Sequence, residues 1–482
     1  MSMAYPQVTT VHGPVRGERR ADGGLRFVGI PYARPPVGEL RFAAPVPPEP
    51  WTEPFDATAY GPTAQRRRIT EVTTVPEPTI PGDGVLNLNV FTPDTAPETL
   101  LPVLVWIHGG GYVAGSAASP WYDGAAFNRD GVVLVSVGYR LGIEGFLHLD
   151  GAPDNRGVLD WIAALEWVRD NVAGFGGDPA KVTIAGQSAG GGGVLTLLAT
   201  PAARGLFRGA IAASGILMRP DGPHIAHAAS RLFTARTGVP ATAAALRGLG
   251  AEELLDLQDR LLVPGPDREG LPPMQTLAPF ADGALIPEAA FTALTEGDAG
   301  AGVPLLLGCT AHELNAIADL PEAPPLPVLL GFLGLPPERA EAFRAVYENL
   351  GADAYFGQAL TDATFRAPAL AVADARADRE RLTWFYEFTW TSAVNGRAFH
   401  CLDLPFAFGL LDAEGVTAAA GTMPPQALED AVHRSWVAFV RDLDPGKEWP
   451  RYTPDGRTAM IWSAEPRIED DPLHQVRAIW SA

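Results

Sequence analysis

Cysteine is nearly absent: Cys309 and Cys401 are the only two in 482 residues. That is too few for a disulfide framework, and the scarcity suits a reducing compartment. Positive charge is also short, with 36 Lys and Arg against 56 Asp and Glu and a formal net charge of −20. A chain without clustered cations does not grip phosphate backbones or anionic membrane surfaces, so neither nucleic acid nor membrane is an expected partner. No apolar run approaches the ~18 residues that a bilayer-spanning helix needs. The opening MSMAYPQVTTVHGPVRG lacks the basic stretch followed by an apolar one that marks a secretory leader. A soluble cytoplasmic protein is the expectation. Internal repeats and Ser/Gly linkers are missing as well, so residues 1–482 are read as one domain.

What the chain does have is apolar content, 47% of its residues, enough to bury a large core. Short β-type runs alternate with helical patterns: LPVLVWIHGGG, then GVVLVSVGYR, then GVLDWIAALEWVRDNVAGF, then KVTIAGQSAG leading into VLTLLAT, then GAIAASG. That alternation predicts parallel strands joined by crossover helices, an α/β fold with a doubly wound, mixed but mostly parallel sheet. From about residue 220 the composition turns to Ala, Leu and Pro with helical spacing in SRLFTARTG and AEELLDLQDRLL. We read residues 220–380 as including helical insertions that form a lid or substrate pocket over one edge of the sheet. VPLLLGCT and RLTWFYEFTW resume the strand pattern, and PQALEDAVHRSWVAFVRDL reads as a terminal helix.

One serine is conspicuously bare. In KVTIAGQSAGGGG, Ser188 lies between a β-branched run and a string of glycines. A strand that reverses sharply into a helix needs small residues flanking the turn, because a Cβ on either side would strike the neighbouring strand or helix. Gly186 and Gly190 supply them, and G-x-S-x-G in this strand–turn–helix context predicts a nucleophile elbow that lifts the Ser188 hydroxyl clear of the sheet. A serine hydroxyl needs a base to take its proton and a third group to orient that base. It also needs donors for the oxyanion formed when a carbonyl is attacked. HGGGYVAG, from His108 to Gly115 after the apolar VLVWI, fits the donor loop. Gly110, Gly111 and Ala189 are the candidate oxyanion donors.

Rivals exist for each role. GGGYVA also satisfies the dinucleotide pattern G-x-G-x-x-A, but GSAASPWYDG, which follows, is turn chemistry where that pattern needs a helix. Of nine histidines, His108 is read as shaping the glycine loop. His312 begins HELNA, in which Ala316 stands where the zinc motif H-E-x-x-H requires its second histidine, so no metal site is expected there. For the acid, Glu313, Asp282 in ADGALIP and Asp403 remain open on residue chemistry alone.

At this point the chain resembles a known family, the type B carboxylesterases, the cholinesterase-like branch of the α/β-hydrolase fold that includes bacterial para-nitrobenzyl esterases. The likeness runs through FVGIPYARPPVGELRF, LNLNVFTP, WIHGGGYVAGS, YDGAAF, NRGVLDWIAALEWVRDNVAGFGGDPAKVTIAGQSAGG, ADGALIP, GCTAHELNA, AFHCLDLPFAFG and WVAFVRDLDPGKEWPRY. The resemblance implies that Glu313 is the triad acid and His400 the base, in the order Ser188, Glu313, His400. It implies a serine esterase working through an acyl-enzyme. An acyltransferase would use the same residues, and a binding protein on the esterase fold would have lost one of them. Nucleophile, base and oxyanion donors all come from the chain, so no cofactor is expected. The partner would be a small-molecule ester, and the assembly a monomer or small homo-oligomer.

Several positions depart from the family pattern. Gln187 precedes the serine where glutamate is usual, which would weaken stabilisation of a cationic substrate and disfavour choline-type esters. Gly190 to Gly193 extend the glycines into the helix, a cost of ~0.5 to 1 kcal/mol each that close packing would offset. Trp161 stands where glutamine is common and is read as core filling. Cys309 and Cys401 flank the acid and base motifs and are read as two reduced thiols.

Overall fold

The computed structural model describes residues 5–67, 74–217, 222–265, 267–268, 271, 276–315, 325–350 and 354–480. Ala316, which breaks the zinc motif, lies outside them. Among the described residues there are fourteen strands, numbered in chain order. They are β1 (Gln7–Thr10), β2 (Gly13–Arg16), β3 (Glu18–Arg19), β4 (Leu25–Pro31), β5 (Phe55–Asp56), β6 (Asn87–Thr92) and β7 (Leu101–Ile107). They continue with β8 (Val133–Val137), β9 (Gly177–Gln187), β10 (Gly209–Ala213), β11 (Leu305–Thr310), β12 (Thr383–Phe388), β13 (Thr458–Trp462) and β14 (Arg467–Asp470). Strands β1, β2 and β5 make a small three-stranded sheet, and the other eleven form one large sheet in the order β14-β13-β12-β11-β10-β9-β7-β8-β6-β4-β3. Pairing from β8 through β13 is parallel, and both flanks are antiparallel. The doubly wound, mostly parallel sheet expected from the sequence is therefore present. The short strands before β7 were not anticipated, because two- to seven-residue segments broken by Gly and Pro carry little periodicity.

The central strands are buried throughout, which is why they read as continuous apolar runs rather than alternating ones. Successive side chains still divide between two cores. Val103, Val105 and Ile107 join the core on one face of the sheet, while Leu104 and Trp106 join that on the other. Helices Arg156–Asn171, Ala189–Ala199 and Gln426–Asp442 lie where the sequence placed them. In the Ala- and Pro-rich part, Pro223–Thr237, Ala251–Leu262, Leu326–Phe332, Ala340–Tyr347, Tyr355–Thr361 and Ala367–Ala377 are helical. The last two are joined by a π-helical turn at Asp362–Arg366, a wide turn that re-aims side chains and recurs at functional sites.

Connections from β7 lead to β8 on one side, whereas those from β9 lead through β10, β11 and β12 on the other. The strand order thus switches direction between β7 and β9, and a crevice opens beyond their carboxyl ends.

Candidate active site

Ser188 sits at that switch point, directly after β9, with φ 60° and ψ −125°. A positive φ is rare for a residue with a Cβ, and the neighbours hold it there. Its amide donates to the Ala213 carbonyl at 3.0 Å, and its carbonyl accepts from Gly192 at 2.9 Å and Ile216 at 3.2 Å. The flanking glycines are required by close approach. A Cβ on Gly186 would collide with the Gly190 carbonyl, and one on Gly190 with the Ile107 carbonyl at the end of β7.

The remaining glycines of helix Ala189–Ala199 are explained by packing too. A Cβ on Gly192 would meet the Ile216 carbonyl and Tyr112, while the nearest atoms to one on Gly193 are those of the Trp161 ring, at 2.9 Å. Trp161 is 1% exposed and packs among Tyr112, Tyr139 and Phe146, so it fills the core behind the elbow. Gly190→Ala is expected to cost ~4 kcal/mol or to prevent folding, since backbone must move. Gly193→Ala, opposed by a side chain, is expected to cost ~1 to 2 kcal/mol. Urea midpoints of the two variants check this ranking, and equal losses would contradict it.

Glu313 follows β11, and His400 lies on the segment after β12. Their contact closes the crevice: His400 Nδ1 is 2.5 Å from Glu313 Oε2, and the His400 amide donates to the Glu313 carbonyl at 3.1 Å. The second carboxylate oxygen accepts from Ser214 Oγ at 2.6 Å and from the Thr310 amide at 2.7 Å. Glu313 is 1% exposed. A buried carboxylate held by this many partners is fixed in orientation. Burial lowers the pKa of His400, but Cys401 and Glu313 favour its charged form and prevail, holding it well above the ordinary histidine value. Facing Nε2 is the amide nitrogen of Gln187, at 3.1 Å. Among the described residues, no hydrogen bond joins the Ser188 hydroxyl to His400.

The competing residues have other occupations. Asp282 caps a turn, accepting from the amides of Ala284 and Ile286 and from Asn155 Nδ2. Asp403 Oδ2 accepts from the buried Tyr386 hydroxyl at 2.9 Å, and burial together with Glu313 raises its pKa to about 6. His312 Nδ1 accepts from the Ala398 amide, and burial with Arg397 and Arg366 nearby lowers its pKa to about 4. His108 Nδ1 faces the Gly109 carbonyl at 2.8 Å and its ring stacks on Tyr139. Burial lowers this pKa also, to about 4, so His108 is a neutral brace for the glycine loop.

That loop leaves β7 as turns, not as the helix that a dinucleotide site requires. Gly110 and Gly111 hold φ 114° and 61°, conformations open to glycine at little cost. A Cβ on Gly109 would press on the Gln187 carbonyl and on Ser188 Cβ, at 2.8 and 3.0 Å, so the loop lies directly against the serine. Neither the Gly110 nor the Gly111 amide donates a hydrogen bond among the described residues. Ala189 opens its helix, where amides lack intrahelical acceptors. Bare N–H groups of this kind are the donors that an anion formed at a neighbouring serine requires.

Other contributors were not foreseen. Phe365, on the π-helical turn, sets its ring 5.0 Å from that of His400. Thr361 Oγ1 accepts from the Leu314 amide at 3.0 Å. Leu314, Leu360 and Phe365 form an apolar cluster with Ile216, Leu333 and Phe356 against it. A small pocket lined by Tyr112, Thr196, Ile216, Leu217 and Phe280 adjoins the elbow. Only tertiary contacts could reveal these. Cys309 and Cys401 are both buried and free.

The chain is similar to known esterases in sequence and in fold. The sequence profile described as "Carboxylesterase family" matches residues 4–324. The para-nitrobenzyl esterase of Bacillus subtilis (strain 168) is 37% identical over 504 residues, covering 98% of both chains. The medium-chain fatty acyl-CoA hydrolase precursor of Anas platyrhynchos is 32% identical, covering 95% of this chain and 88% of its own. Among solved structures, a PNB esterase superposes with a TM-score of 0.85 at 35% identity over 98% of this chain and 99% of that one. A thermophilic PNB esterase does so with a TM-score of 0.87 at 34% identity over the same shares.

Proposed function

The chain belongs to the carboxylesterase family, with the α/β-hydrolase fold, and is a carboxylic ester hydrolase; from that premise we propose that it works through an acyl-enzyme on Ser188. His400 takes the Ser188 proton as the hydroxyl attacks the ester carbonyl, and returns it to the departing alcohol. Glu313 keeps the Nδ1–H tautomer and stabilises the imidazolium. The amides of Gly110, Gly111 and Ala189 receive the oxyanion. Water, activated by the same histidine, then releases the acid. The observation that carries this reading is the 2.5 Å contact of His400 with a fully satisfied Glu313, beside a serine on a strained turn.

The insertions within residues 220–380 act as the lid and supply apolar walls such as Leu360 and Phe365. Those walls, with an amide at Gln187 instead of a carboxylate, favour neutral esters. Incubation with a fluorophosphonate should give one adduct, on Ser188 by peptide mass spectrometry, with parallel loss of para-nitrophenyl butyrate turnover. Folded protein that takes no adduct would overturn the proposal. A choline ester should turn over at least about tenfold more slowly than its neutral carbon analogue; the reverse preference would sink the charge argument.

A further inference from the structure

Gln187 ends β9 and is 1% exposed, with its backbone paired to Ala213. Its position is therefore fixed, and its amide has little choice of partner. The amide nitrogen lies 3.1 Å from His400 Nε2 and 3.5 Å from Nδ1. The amide oxygen lies on the other side, where a Cβ on Gly109 would come within 3.0 Å of it. Glu313 Oε2, 2.5 Å away, is an acceptor for a proton on Nδ1, and in that tautomer Nε2 of the neutral ring presents only a lone pair. An amide N–H can donate into that lone pair and cannot accept from it.

We propose that Gln187 is a positioning residue that holds neutral His400 by donating its amide hydrogen to Nε2, the place the Ser188 hydroxyl must take before attack. The inference rests on the esterase reading above and concerns how the base is poised. Protonation of His400 puts a hydrogen on Nε2, where it would face another donor. Gln187 therefore favours the neutral ring and extends activity to lower pH. Other groups act on the same imidazole: Glu313 from the loop after β11, Cys401 and Asp403 from its own segment, and the uncharged ring of Phe365 from the π-helical turn. Substitution at Gln187 leaves all of them in place.

The test is the pH dependence of kcat/KM for para-nitrophenyl butyrate in the unaltered enzyme, Gln187→Met and Gln187→Glu. Methionine keeps the length and removes the donor, and glutamate replaces the donor with an acceptor for the imidazolium. The acid limb should move to higher pH in both, by about 0.5 unit for methionine and about 1 unit or more for glutamate. An acid limb that stays in place or moves down in Gln187→Met would overturn the proposal, because a carbonyl facing Nε2 gives a downward shift. Fluorophosphonate labelling of Ser188 at alkaline pH separates the two claims. Failure to label the unaltered enzyme refutes the esterase mechanism, whereas normal labelling with an unmoved acid limb refutes only the role of Gln187. If a variant does not fold, nitrogen-15 histidine NMR of the unaltered enzyme decides. An Nδ1–H tautomer with unprotonated Nε2 supports the assignment, and an Nε2–H tautomer overturns it.

Discussion

Ser188→Ala is expected to lower kcat for a para-nitrophenyl ester by ~10⁵-fold or more while leaving the melting temperature nearly unchanged. The size follows from covalent catalysis: without the hydroxyl there is no acyl-enzyme, and only the oxyanion donors and substrate binding remain to assist direct attack by water. The neutrality toward stability follows from the backbone. Ser188 holds φ 60° and ψ −125°, a strain set by the Cβ that alanine retains, and its hydroxyl has no hydrogen bond to His400 to lose. Steady-state assay of purified variant, alongside its melting curve, is the measurement. A variant that keeps more than about 1% of activity would remove Ser188 from the mechanism.

Glu313→Gln is expected to lower kcat by ~10³- to 10⁴-fold, more than its isosteric size suggests. Glu313 uses one oxygen for Ser214 and the Thr310 amide and the other for His400. Glutamine has one oxygen, and Ser214 and Thr310 both need an acceptor. Its NH₂ group is then turned toward His400 Nδ1, where a donor forces the Nε2–H tautomer and removes the lone pair that should receive the serine proton. The pH profile should change as well. Glu313 favours the imidazolium, so neutralising it lowers the pKa of His400 and moves the acid limb of kcat/KM to lower pH as the plateau falls. A profile shifted upward, or a loss below about tenfold, would place the orienting charge elsewhere, and Asp403 would be the next group to replace.

Legibility in the sequence varied with how local the physics was. The elbow could be read from a few residues, because the clash that excludes a Cβ at Gly186 and Gly190 comes from the turn itself and the strand beside it. The glycine loop was legible for the same reason, and the apolar runs of the parallel strands because both faces of the sheet are covered. The acid was not. Residue chemistry left Glu313, Asp282 and Asp403 open, and resemblance singled out Glu313 before geometry did. In the fold, Asp282 is consumed by its own turn and Asp403 by Tyr386. The run of four glycines looked costly until Ile216, Tyr112 and Trp161 were seen against the helix. The strands preceding β7 went unread because they are too short to show a period.

The sequence by itself determined the glycine-flanked serine turn, the glycine loop, the alternation of buried strands and helices, and a formal net charge of −20. Each of these depends on neighbours within a few residues or on composition. Tertiary structure decided which carboxylate meets the base, which aromatic ring lies against it and what faces its lone pair. Glu313 and His400 are 87 positions apart, and Gln187 and His400 are 213 apart. No local propensity reports on such pairs. They meet because β9, β11 and β12 run parallel in one sheet, which brings the loops at their carboxyl ends to a single crevice.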